Sequence, residues 1–285
     1  MKDLVLHDLT KAQVEAFIKS PSHAVRLVGP TGSGKLTLAR SLAETLLGLR
    51  AGGFDDHAYT TTLSSPEGKA IGIEAVRELE HFLSLKVPRA AAYHRAVIIE
   101  GSHLLTTEAQ NALLKTLEEP PAGTVLLLTV TRDQGLLPTI RSRTQTVTVH
   151  KPQRAEVESY FRRGNFQDAQ IKQAYAISGG LPGLMRALLD QTEHPLIAAT
   201  AQARKLLSST VYERLLMVDE LAKQRALAVD TTFILQQMAH VSSQTASGAA
   251  ATKWQTVLTA SYEAAEALQA NGQPKLVLTN LMLHL

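Results

Sequence analysis

Residues 29–35 read GPTGSGK, a glycine-rich turn set between the apolar run AVRLV at 24–28 and the helix-patterned LTLARSLAETLLGL that follows. A strand that stops at such a turn and restarts as a helix is the first βα unit of a phosphate-binding fold. The spacing G-x-x-x-x-G-K has a direct chemical reason. Glycines let successive backbone N–H groups turn inward around a β-phosphate, and the helix N-terminus adds a favourable dipole. Gly29, Pro30, Thr31, Gly32, Ser33 and Gly34 are therefore the candidate cradle, and Lys35 the cation for the β- and γ-phosphates. The next residue normally offers a hydroxyl to Mg²⁺, but here it is Leu36. Thr37 comes one position too late on the helix to replace it. A plain strand-to-helix turn is the blander reading, yet nothing structural requires a lysine at position 35.

The rest of the chain continues the alternation. Residues 9–19 and 73–85 carry helical spacing, and Leu38, Leu42, Leu46 and Leu49 share one face of the helix after the loop. Residues 95–100 (RAVIIE), with an apolar run that stops at the last residue, and 124–131 (TVLLLTVT) read as strands covered on both faces, and 144–149 is a shorter fourth strand. Residues 107–118 form a helix that stops before Pro120 and Pro121. Residues 51–69 are polar and irregular. Strands alternating with helices imply a parallel, doubly wound sheet. Beyond Pro152 the strand signals vanish: 155–189 is a small helical unit broken at 179–183, and helices run from His194 onward, interrupted at 241–251. The fold class is thus α/β followed by all-α.

The second strand ends Ile98-Ile99-Glu100-Gly101. A nucleotide-hydrolysing site of this kind places one acid there for the metal and a neighbouring carboxylate to activate water. Glu100 fills the metal-side position, whereas Gly101 has no group with which to polarise a water. His103 is closer to a capping or surface residue than to a replacement base. Leu36 and Gly101 are two independent defects in one hydrolytic apparatus, so phosphate binding is expected and Mg²⁺-assisted hydrolysis is not.

Composition narrows the class further. A net charge of +3 without a basic tract gives no nucleic-acid footprint of its own. The absence of cysteine excludes disulfides and thiolate zinc sites and fits a cytoplasmic protein. The first twenty residues lack the apolar core of a signal peptide, and no apolar run approaches membrane-spanning length. Ten scattered histidines show no ligand spacing. Trp254 and Tyr262 read as helix-packing residues, and Arg162-Arg163 as a solvated face.

Three segments together carry a resemblance. His23-Ala24 ahead of the glycine loop, RAVIIEGSHLLTTEAQNALLKTLEEPP at 95–121, and LPTIRSRT at 137–144 resemble bacterial DNA polymerase III clamp-loader subunits of the AAA+ family. The most specific element is NALLKTLEEPP followed by a strand and then Ile140-Arg141-Ser142-Arg143; the closing NGQPKL and the apolar residues after it also resemble the family's last collar helix. The resemblance implies a P-loop AAA+ domain at 1–151, a small helical lid at 152–190 and a helical collar at 191–285. It implies ATP or ADP as the nucleotide, Thr131 as a sensor at the end of the third strand, and Arg143 as a finger offered to the nucleotide of the adjacent subunit. The family's motif at that point is Ser-Arg-Cys; here it is Ser142-Arg143-Thr144.

Departures from the family's motor subunits select a delta-prime-like type. There is no four-cysteine zinc module after the loop helix, Gly101 replaces the catalytic glutamate, and Pro182 stands where a sensing arginine would follow the Gly-x-Leu turn. The partners implied are the gamma/tau motor and delta subunits, a sliding clamp, and primed DNA contacted through phosphates by the assembly, with no membrane. An active AAA+ ATPase, either a motor subunit or a branch-migration type helicase, is the alternative; a scaffold that has lost nucleotide is a third, opposed by the intact Lys35.

Overall fold

The computed structural model describes residues 4–65, 69–87, 92–131 and 135–285; residues 66–68 of the irregular segment and the first three residues of the chain lie outside them. The chain divides into two compact units, Met1–Pro152 and Gln153–Leu285.

The first unit is a five-stranded parallel sheet with order β2-β3-β4-β1-β5. Its elements are α1 (Asp8–Lys19), β1 (Ala24–Val28), α2 (Lys35–Leu47), β2 (Thr60–Leu63), α3 (Ile73–Ser84), β3 (Arg95–Ile99), α4 (Thr107–Glu118), β4 (Thr124–Val130), α5 (Pro138–Ser142) and β5 (Gln145–Thr148). Alternate strand residues feed opposite faces, as the pleat requires. Val25, Leu27, Ile98, Leu127 and Val147 pack against Val14 and Phe17 of α1 and Leu38 and Leu42 of α2. Ala24, Val97, Ile99, Leu126 and Leu128 pack against Val76 and Leu79 of α3 and Leu113 and Leu117 of α4. Helices on both faces explain why β1, β3 and β4 are mainly apolar, with their few polar residues, Arg26, Arg95, Thr124 and Thr129, buried as well.

The structure departs from the sequence pattern in three places. The irregular segment 51–69 contains a strand, β2, paired with β3 from Thr60↔Ala96 to Leu63↔Ile99. Its residues are half-buried and mostly threonine, so its own pattern carries no apolar signal. The loop helix ends at Leu47, because Gly48 turns left-handed (φ 67°) and places Leu49 outside it. The break expected over 241–251 shrinks to 246–248, between α11 and α12.

At the β5 edge, α1 takes the place of a sixth strand. Gln13 Oε1 accepts from Thr148 N–H at 2.7 Å, and Thr10 Oγ1 donates to Thr148 O and accepts from His150 N–H, both at 2.9 Å. These bonds occupy ladder groups that would otherwise be an open template for pairing.

The second unit is all helical: α6 (Arg154–Arg162), α7 (Asp168–Ser178), α8 (Pro182–Asp190), α9 (Ile197–Ser208), α10 (Val211–Lys223), α11 (Arg225–Thr245), α12 (Ala249–Gln269) and α13 (Pro274–His284). One apolar cluster runs from Leu181 and Leu184 through Ile234 and Leu235 to Leu281 and Leu285. The segments read as lid and collar therefore share a core. The Gly179-Gly180 turn, with φ of 66° and 82°, ends α7 close to α11: a Cβ on Gly179 would sit 2.5 Å from Gln237 Oε1. No helix among the described residues is long and apolar enough to cross a membrane.

Candidate nucleotide site and arginine turn

In an open parallel sheet, ligands are met at the carboxyl ends of the strands. The register brings three such ends side by side. Val28 lies opposite Val130, and Gly29 N–H donates to Val130 O at 3.1 Å, which sets Thr131 beside the start of the glycine loop. Ile99 lies opposite Leu128, and Gly101 N–H donates to Thr129 Oγ1 at 3.0 Å. Glu100 is anchored on the other side by its N–H to Leu63 O at 2.8 Å. β4 ends at Val130, one residue earlier than the sequence pattern suggests, so Thr131 is the first residue past the strand and is half-buried.

The loop itself explains its glycines. A Cβ on Gly29 would lie 2.7 Å from Val149 O, so a side chain is excluded at the exit from β1. Gly32 and Gly34 have φ of 82° and 86°, and Gly34 is the N-cap of α2. That cap offers no side-chain acceptor and the first turn no acid, so the first backbone donors of α2 remain available to an anion. Thr31 and Pro30 are half-buried, and Ser33 is buried with its N–H on Pro30 O at 3.2 Å.

Lys35 reaches back over the loop. Its Nζ donates to Gly29 O at 2.6 Å and Pro30 O at 2.8 Å. Burial pulls its pKa down to about 8, opposed by the nearby Glu100 carboxylate. The hydrolytic positions look different. Leu36 packs partly buried against the α1/α2 face of the core, and Thr37 is exposed. Gly101 is left-handed at φ 66°, the N-cap of a 3-10 turn at Ser102–Leu104. The donor set therefore fits the phosphates of a nucleotide, whereas the usual Mg²⁺ shell of hydroxyl and paired acids is not assembled.

Arg143 stands apart from this cluster, at the C-cap of α5. Its Nη2 lies 2.6 Å from Glu118 Oε1, at the end of α4, and its Nη1 donates to Thr139 O at 3.1 Å and Ser142 Oγ at 3.3 Å. Half-exposed, it belongs to a surface turn rather than to the chain's own loop.

One residue of this neighbourhood goes unmarked by sequence reasoning. The buried Gln110 amide donates to Leu105 O at 3.0 Å and Gly135 O at 2.8 Å and accepts from Leu137 N–H at 2.8 Å. It ties the segment after β3 to the segment leading into α5. The residue lies inside the quoted NALLKTLEEPP neighbourhood, but its partners are 25 and 27 positions away, so only the fold reveals its task.

The family model described as DNA polymerase III, delta subunit, matches residues 8–153, half of the chain. Delta' subunits of DNA polymerase III are similar: that of Haemophilus influenzae is 28% identical over 59% of this chain and 55% of its own length. Those of Escherichia coli and Pseudomonas aeruginosa are 36% and 32% identical, over 46% and 56% of this chain and 40% and 54% of theirs. The chain thus spans about half the length of the curated relatives it matches. A DNA polymerase III gamma subunit-related protein from Thermotoga maritima superposes with a TM-score of 0.50 at 19% identity, covering 97% of this chain and 98% of its own, a likeness of fold. The chain belongs to the DNA polymerase III delta-subunit family, of the delta-prime type.

Proposed function

We propose that this chain is the delta-prime-like subunit of a replicative clamp loader. It holds ATP or ADP at residues 29–37, the glycine loop and the start of α2, without hydrolysing it and offers Arg143 in trans to the nucleotide of a neighbouring gamma/tau motor subunit. The observation that carries this reading is the split between the two regions. The loop keeps its phosphate-binding parts, Lys35 and the uncapped start of α2, while Leu36 and Gly101 stand at its hydrolytic positions. Arg143, by contrast, is a half-exposed guanidinium just before β5, whose start pairs with Val25 and whose far end, opposite Val28, is the one beside the glycine loop. A guanidinium beside a neighbour's γ-phosphate stabilises the charge that develops in phosphoryl transfer. Glu100 and Thr131 would line the bound nucleotide, with Glu100 also balancing the Lys35 ammonium. The delta subunit, the sliding clamp and primed DNA complete the assembly, with DNA met through its phosphates.

The test is ATP hydrolysis by the assembly reconstituted with motor and delta subunits, clamp and primed DNA. The isolated chain is expected to hydrolyse nothing, and Arg143→Ala to lower stimulated turnover about tenfold or more. Lys35-dependent hydrolysis by the isolated chain, with Arg143→Ala silent in the mixture, would instead make this an active ATPase.

A further inference from the structure

The Glu118–Arg143 pair is unusual for what it does not stabilise. Glu118 is the last residue of α4, where a negative charge opposes the helix dipole; the favourable charge of that turn is already supplied by Lys115. With the two side chains 36% and 50% exposed, the ion pair adds little to folding. Its effect falls on the arginine. A guanidinium has five N–H donors. Thr139 O and Ser142 Oγ take Nη1 from within the arginine's own turn, and Glu118 takes Nη2 from a different helix. Among the described residues, no acceptor takes Nε–H or the second Nη2 proton, which leaves two donors for an incoming anion. A long side chain on a short surface helix otherwise samples many rotamers, and each must be given up when it meets a phosphate.

We propose that Glu118 is a positioning residue for Arg143: its carboxylate fixes the guanidinium in one direction before the neighbouring nucleotide arrives. This inference rests on the finger reading of Arg143. It places the first Glu of LEEPP, 25 residues before the arginine, in the chemistry of a site on another subunit.

The experiment uses the full chain in the reconstituted assembly, reading kcat and KM for ATP with clamp and primed DNA present. Glu118→Ala should lower kcat about two- to fivefold, the range an exposed pair supports, with KM little changed. Glu118→Gln, which keeps the acceptor and the size, should recover part of the loss, and Glu118→Ala should add nothing in an Arg143→Ala background. In the isolated chain, the Arg143 guanidinium N–H signals should exchange faster with water, and so broaden, in Glu118→Ala. Unchanged or increased turnover in Glu118→Ala, with Arg143→Ala still impaired, overturns the positioning role and leaves the finger intact. An additive loss in the double variant makes Glu118 merely structural. If Arg143→Ala itself costs nothing, the finger reading has failed first.

Discussion

Gly101 shows how a missing side chain differs from a missing residue. Its φ of 66° lies where an L-residue is strained, and a Cβ there would sit 3.2 Å from Leu104 Cδ1. A carboxylate introduced at this position would have to be carried on a backbone that an L-residue adopts only with strain. Installing Leu36→Thr together with Gly101→Glu is therefore expected to leave the isolated chain without ATPase activity and to cost about 1–2 kcal/mol of stability in urea. Lys35 carries a second residue-scale consequence. The lowering from 10.5 to about 8 means that keeping this part-buried ammonium charged at neutral pH works against folding. Between pH 8 and 10.5 the unfolded chain holds the extra proton, so stability rises through that window and the cost is complete only below it. Lys35→Met should accordingly melt several degrees above the parent at pH 7, and the gap should close by pH 10.5, while nucleotide binding is lost.

Among the elements, α4 is the one that organises the turn bearing Arg143. Leu113 and Leu117 seat it on the sheet, Gln110 holds the segment leading into α5, and Glu118 meets the arginine beyond it. Gln110→Ala leaves two carbonyls and one N–H without their partner, so a loss of about 1–3 kcal/mol in urea is expected, with faster hydrogen exchange at Leu137 N–H. Leu113→Ala, fully buried in the same helix, should cost about 2–5 kcal/mol. The elements also show what a sequence makes legible. β1, β3 and β4 announce themselves because both of their faces are covered, and the glycine loop because its spacing has a chemical reason. β2 does not: TTTL at the sheet edge owes its strand to the ladder offered by β3. The five-residue α5 is too short for any periodicity to reveal. The roles of Gln110 and Glu118 depend on partners 25 to 27 residues away, which no local pattern encodes.

At the scale of the whole molecule, the boundary near Pro152 was readable, since strand patterns stop there and the compact units part at Pro152 and Gln153. The single apolar cluster from Leu181 to Leu285 was not, because helical spacing tells which face is buried and not which helix covers it. Each unit encloses its own core, so a fragment of residues 1–152 should fold alone with a cooperative thermal transition and retain nucleotide binding; a fragment without a transition would show that the units depend on one another. Lys35, finally, stands out as a chemical target. An amine with a pKa of about 8 is about half neutral at pH 8, whereas an ordinary lysine amine is almost wholly protonated and unreactive. A small acylating reagent should thus modify Lys35 out of proportion to its exposure, and bound nucleotide should shield it, which turns one covalent label into a gauge of whether the loop is filled.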